Sequence, residues 1–78
     1  MSVLDRLNRV FRDVLENDLI KLDSNTTAAD IEEWDSLSHV RIILAVEQEF
    51  KLRLRAGEIS SLENVGAFVS LLERKLGA

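Results

Sequence analysis

Cysteine and proline are absent from this chain, and glycine occurs only three times in its 78 residues. Without cysteine there is no disulfide framework, and no Cys/His cluster is available for a structural zinc. A chain of this length supports one small domain, whose single core supplies only about 3–5 kcal/mol of net stability. That stability has to come from packing, and 46% of the residues are apolar, mostly Leu, Val and Ile. All-β domains use proline and glycine at many turns, so their scarcity favours helices joined by a few loops. Long apolar runs are missing too. None approaches the roughly 20 residues of a membrane span. Met1-Ser2-Val3-Leu4-Asp5-Arg6 lacks the charged-then-apolar order of a signal peptide. The expectations are no membrane insertion and a cytoplasmic location.

A dominant basic face is also lacking. The formal net charge is -4. Asp23, Asp30, Glu32, Glu33 and Asp35 fall in residues 22–39 without a single Lys or Arg. Arg41, Lys51, Arg53 and Arg55 then face only Glu47 and Glu49 in residues 40–56. Nucleic-acid affinity rests on neutralising phosphates, so no nucleic-acid partner is expected. A partner with a basic patch suits the acidic stretch better.

Helical spacing is clear in three places. Ser2 is an N-cap candidate, and Val3/Leu4, Leu7, Val10/Phe11 and Val14/Leu15 predict a helix over residues 3–17. Arg6, Arg9, Arg12, Asp13 and Glu16 read as its solvated face. Residues 18–35 lose the period and carry turn chemistry at Asn17-Asp18 and Asp23-Ser24-Asn25. Leu19, Ile20, Leu22 and Ile31 are the expected anchors of this long ordered loop, with a brief turn at Thr27-Ala28-Ala29-Asp30. A second helix begins at or near Ser36. Leu37, Val40, Ile43/Leu44, Glu47 and Phe50/Lys51 mark its face, and Ile42 through Val46 read as its most buried stretch. Leu52-Arg53-Leu54-Arg55 alternates as an extended link, and Gly57 to Ser60 suits one helical turn. Asn64 or a residue just before it caps the last helix, with Val65, Phe68/Val69, Leu72 and Leu76 as its stripe and Gly77 as its end. The expected fold is all-α: three main helices plus a short one, in a bundle with a long ordered loop between helices 1 and 2, residues 1–78 forming a single domain.

Ser36 stands out because an acidic stretch, a long loop and a helix start converge on it. Taken alone, Asp35-Ser36-Leu37 is a capping sequence: Ser36 is a good N-cap, or Asp35 caps and Ser36 takes the first helical position. The continuation says more. Asp35-Ser36-Leu37-Ser38-His39-Val40 is followed by Ile42-Ile43-Leu44-Ala45-Val46-Glu47-Gln48-Glu49-Phe50. This resembles the acyl carrier protein family, which places Asp-Ser-Leu at the start of its second helix and ends the following apolar run in Glu-x-Glu-Phe. The loop, short turn and last helix match in order and size over essentially the whole chain.

The resemblance implies a carrier without catalytic residues or a resident metal. Ser36 would bear a covalent 4′-phosphopantetheine arm, transferred from coenzyme A by a phosphopantetheinyl transferase with Mg²⁺, and acyl groups would ride on its thiol as thioesters. Asp35 corresponds to the motif aspartate implicated in metal and transferase docking; its plain alternative is helix capping. Leu37 is similar to the family's partner-contact leucine, and Val40 would border the arm or its cargo; core packing is the plain alternative for both. The implied partners are acyl-loading and acyl-processing enzymes of fatty-acid, polyketide or other specialised biosynthesis, and the implied state is a monomer. An aminoacyl or peptidyl carrier is the runner-up, and an unmodified helical interaction module with Ser36 only a cap is the other class.

The chain departs from the fatty-acid type at four residues. Ser38 and Arg41 stand where acids are common, and His39 adds positive character below about pH 6.5. Trp34 precedes the motif where a small or aliphatic residue is usual; covering the end of the bundle is its favoured role, partner contact the alternative. Partner contacts are therefore expected from Trp34, Leu37, His39, Val40 and Arg41. A Ser36–His39 hydrolytic pair would also need an oriented acid and an oxyanion hole, for which the sequence offers no sign.

Overall fold

The computed structural model describes residues 2–60 and 62–77. Four α-helices follow in order: α1 (Val3–Leu15), α2 (Ser36–Phe50), α3 (Ala56–Ser60) and α4 (Val65–Lys75), with a 3-10 turn at Ala28–Asp30 inside the long loop. No strand occurs among the described residues.

The start of α1 forms because Ser2 and Asp5 cap each other's backbone. The Asp5 N–H donates to Ser2 Oγ (3.1 Å) and the Ser2 N–H to Asp5 Oδ2 (3.4 Å). The helix stops at Leu15 rather than 17, because Glu16 turns left-handed (φ 52) and its N–H closes on the Arg12 carbonyl. Helix α1 packs against α2 and α4. Leu7, Phe11, Ile42, Val46, Val65, Phe68 and Leu72 are fully enclosed between them. The Phe11 ring meets Trp34 edge-on at 4.8 Å and Phe68 at 6.5 Å, joining α1, the loop and α4 through one aromatic contact chain.

The solvated face expected on α1 is partly engaged. Arg6 pairs with Glu49 (3.2 Å) and lies 4.1 Å above the Phe50 ring, while Arg12 Nε donates to the Ile20 carbonyl at 2.6 Å. Buried Asn8 also serves the loop: its side-chain oxygen accepts from the Leu22 N–H at 2.7 Å and its amide donates to the Leu4 carbonyl. Ile20 and Leu22 are core residues and Ile31 packs against the core, as expected of anchors. Leu19 is not one; it is 90% exposed, because its N–H is held by Asn17 in a tight turn that aims the side chain outward.

The loop ends its task at α4. The Val65 N–H donates to the Thr26 carbonyl (2.8 Å) and the Gly66 N–H to the Ser24 carbonyl (2.9 Å), while Asn64 Oδ1 caps the Ala67 N–H (2.8 Å). The otherwise orphan donors of this helix start are thus occupied. A Cβ at position 66 would sit 2.8 Å from the Ser24 oxygen, so the close approach requires glycine. On α4, Val65, Phe68, Leu71 and Leu72 are buried, but Leu76 is 42% exposed; it lies past the last turn, before Gly77 at φ 78. Lys75 pairs with Glu58 of α3 at 3.0 Å.

Candidate functional site

Helix α2 begins on Asp35, which resolves the capping question. Asp35 is extended (φ -102, ψ -174) and its Oδ1 accepts from the Ser38 N–H at 2.8 Å. Ser36 is therefore the first helical residue and not the cap. The Ser38 N–H, then the Ser38 hydroxyl, with a smaller part from the Leu37 N–H, hold the Asp35 carboxyl below its ordinary value. Ser36 is exposed. Among the described residues its hydroxyl makes no hydrogen bond.

Trp34 is turned inward, only 6% exposed, so the packing role is realised and the indole is not offered as an outer contact. Its Nε1–H donates to His39 Nδ1 at 2.9 Å. An accepting Nδ1 requires the neutral imidazole with its proton on Nε2. Burial pushes the His39 pKa down in the same direction. With the proton on Nε2 and the Nδ1 lone pair taken by the indole, neither ring nitrogen is left to act as a base toward serine, and no hydrogen bond joins His39 to Ser36. A groove of about 470 Å³ opens beside this cluster, lined by Ala28, Trp34, Asp35, Ser36, His39, Leu62 and Glu63. Ala28, Leu62 and Glu63 carried no signal in the sequence, because they reach the groove from the 3-10 turn and the α3–α4 link.

The largest departure from expectation is on α2 itself. Ile42, Ile43, Val46 and Phe50 form its buried face. Leu37, Val40 and Leu44, which the spacing assigned to the same stripe, are 73%, 56% and 57% exposed. Core packing is thereby excluded for Leu37 and Val40. Apolar residues surround enough of α2 that periodicity does not choose a face; the loop and α1 do. Arg41 is exposed beside this outer stripe.

No family model matches the chain. An acyl carrier protein of Phenylobacterium zucineum (strain HLK1) is 28% identical over 77 residues, covering 99% of this chain and 98% of that protein. The solution NMR structure of holo acyl carrier protein from Geobacter metallireducens superposes with a TM-score of 0.92 at 42% identity, covering 99% of this chain and 88% of that one. The chain belongs to the acyl carrier protein family. Members of this family are carriers and not enzymes, and their prosthetic group is covalent 4′-phosphopantetheine. The four-helix architecture expected from the sequence is that of the solved acyl carrier protein. Among the described residues no cluster of acidic or histidine side chains could hold a metal ion. No helix is long and apolar enough to cross a membrane.

Proposed function

We propose that this acyl carrier protein is loaded on Ser36 and acts as a single-domain, monomeric carrier in the cytoplasm. The observation that carries the reading is the start of α2: Asp35 performs the capping, leaving Ser36 exposed with an unbonded hydroxyl. A serine that only capped the helix would occupy Asp35's place, so the unmodified-module reading loses its account of Ser36. The residues fit the group. A phosphodiester at the first turn of a helix is favoured by its free N–H groups and dipole, and the neighbouring groove gives the exit of an arm space on one side.

In the loading step the Ser36 oxygen forms a bond to the pantetheine-side phosphorus of coenzyme A. The pyrophosphate P–O bond breaks, adenosine 3′,5′-bisphosphate leaves, and the hydroxyl proton passes to a base of the transferase. Asp35, whose carboxyl is held below its ordinary pKa, would present its exposed carboxylate to the transferase and its Mg²⁺. The attached arm supplies a thiol that carries acyl groups as thioesters. With Ser38, His39 and Arg41 on α2 in place of acids, delivery to enzymes of a specialised pathway, polyketide assembly or lipid modification, is favoured over the housekeeping fatty-acid role. The loading reading is tested by intact-mass analysis after incubation with coenzyme A, Mg²⁺ and a broad-specificity transferase. One phosphopantetheinyl group should be gained and should vanish in Ser36→Ala. No gain, or a gain that survives the substitution, overturns it. The thioester found on protein purified from its host identifies the pathway.

A further inference from the structure

Ser36, Val40 and Leu44 recur every four residues along the outer side of α2, and Leu37 lies beside Leu44 at i+7. Leu37, Val40 and Leu44 are more than half exposed. At the far end the stripe runs into a groove of about 440 Å³ lined by Leu44, Glu47, Gln48, Lys51, Leu52 and Arg53. An apolar strip of this kind with no covering element marks an interaction surface, and its charges say what covers it.

Both carboxylates of α2 are already engaged within the molecule. Glu47 Oε2 accepts from the Leu54 N–H at 2.8 Å, and Glu49 pairs with Arg6 at 3.2 Å. Arg41, Lys51 and Arg53 are exposed and, among the described residues, form no ion pair. On the other side of Ser36 the exposed acids Glu32, Glu33 and Asp35 end the loop, with no Lys or Arg among residues 22–39. The Leu54 N–H is neutral and leaves Glu47 charged, but with Glu49 balanced by Arg6 the three cations outnumber it, so the charge offered to a partner changes sign from acidic before Ser36 to net basic beyond Val40.

Partner contact at Leu37, Val40 and Arg41 was already expected from the resemblance; we infer that the partner enzyme meeting this face of α2 surrounds an apolar socket for Leu37, Val40 and Leu44 with carboxylates that pair with Arg41, Lys51 and Arg53. This rests on the carrier reading of Ser36 and names the chemistry of its partner. The basic end sets the partner's orientation, so that the Ser36 end of the strip faces the partner's catalytic opening. Charges at such a rim act mainly on encounter rate and on rejection of wrong partners.

The test uses the full-length, loaded protein with a photoreactive benzoylphenylalanine at Val40, irradiated in its host, and mass spectrometry to identify the captured protein and the cross-linked position. The expected result is an enzyme acting on thioesters, linked within an apolar patch bordered by Asp or Glu. Capture should fall about tenfold or more in R41E/K51E/R53E, fall less in R41Q/K51Q/R53Q, and recover when the partner's carboxylates are changed to Lys. Circular dichroism of each variant checks that the bundle is intact. Charge-independent capture, a link to a basic patch or no link at all overturns the inference. So does a product of twice the chain's mass, which would mean a second copy is the occupant. Flotation with phosphatidylcholine/phosphatidylglycerol vesicles that is lost on charge reversal also overturns it in favour of an anionic lipid surface. Loading of the unsubstituted chain is read separately by mass: its absence breaks the carrier reading, whereas normal loading with charge-independent capture breaks only the docking inference.

Discussion

Two helix starts in this small bundle are built differently. At the start of α4 every local device is turned inward. Asn64 caps Ala67, the loop carbonyls of Thr26 and Ser24 take the Val65 and Gly66 donors, and glycine alone fits the approach. At the start of α2 only Asp35 caps, and the next residue, Ser36, is left exposed with nothing bonded to its hydroxyl. The closed end holds the fold together and the open end is available for chemistry. A helix N-terminus is not a site by itself; what distinguishes these two is whether the rest of the chain has already taken it.

The sharpest way to probe that contrast is Ser36→Ala, which should abolish loading by coenzyme A and transferase while shifting stability by no more than about 0.5 kcal/mol, as for an exposed residue without partners. Intact mass and a urea melt on the same sample read both. At the closed end the pattern should reverse. Gly66→Ala drives a methyl into the Ser24 carbonyl and should destabilise the fold by about 1–3 kcal/mol, with Ser36 still loaded under conditions where the bundle is folded. An unchanged urea midpoint would mean the loop yields freely and is not a structural tie. Asn8→Ala attacks the same tie from α1 by orphaning the buried Leu22 N–H, for an expected loss of about 1–2 kcal/mol; hydrogen exchange should show the loss first at Leu22.

The smallest effect should be the pH dependence of the link between Trp34 and His39. The folded protein holds His39 neutral, with its pKa below the ordinary 6.5. The unfolded chain therefore binds the proton more readily, and this contribution is fully present above pH 6.5 and is lost as pH falls through the folded value. The urea midpoint should drop between about pH 7.5 and pH 5, and His39→Gln, which can still accept from the indole, should flatten that portion of the curve. A midpoint that rises on acidification would contradict the accepting Nδ1.

Much of the fold was legible because the relevant forces are local. Ser2 with Asp5, Asn64 before Val65, and the turn at Ala28 to Asp30 are short-range hydrogen-bond choices written in neighbouring residues. Gly77, at φ 78, likewise follows the last turn as expected. Leu19 was misread locally: its apolarity suggested an anchor, yet the Asn17 turn two residues before points it to solvent. The other misreadings arose where the deciding partner is farther along the chain. Arg6 and Arg12 read as solvated, yet Glu49, Phe50 and the Ile20 carbonyl claim them. Buried Asn8 drew no notice, since its partner lies fourteen residues on, across a loop.

The sequence by itself determined that the chain is helical, to within a residue or two where each helix begins, and that Asp35-Ser36-Leu37 opens the second one, because capping and period depend on residues a few positions apart. Only the tertiary structure decided which side of α2 is core. Its apolar residues lie too far around the helix for one face to bury them all, and the packing of α1 and the loop against Ile42, Ile43, Val46 and Phe50 leaves Leu37, Val40 and Leu44 outside. It also engaged Glu47 and Glu49 internally and left Arg41, Lys51 and Arg53 unpaired. The count along residues 41–53 already favours bases by three to two, and the pairing of Glu49 with Arg6 across the fold widens that surplus.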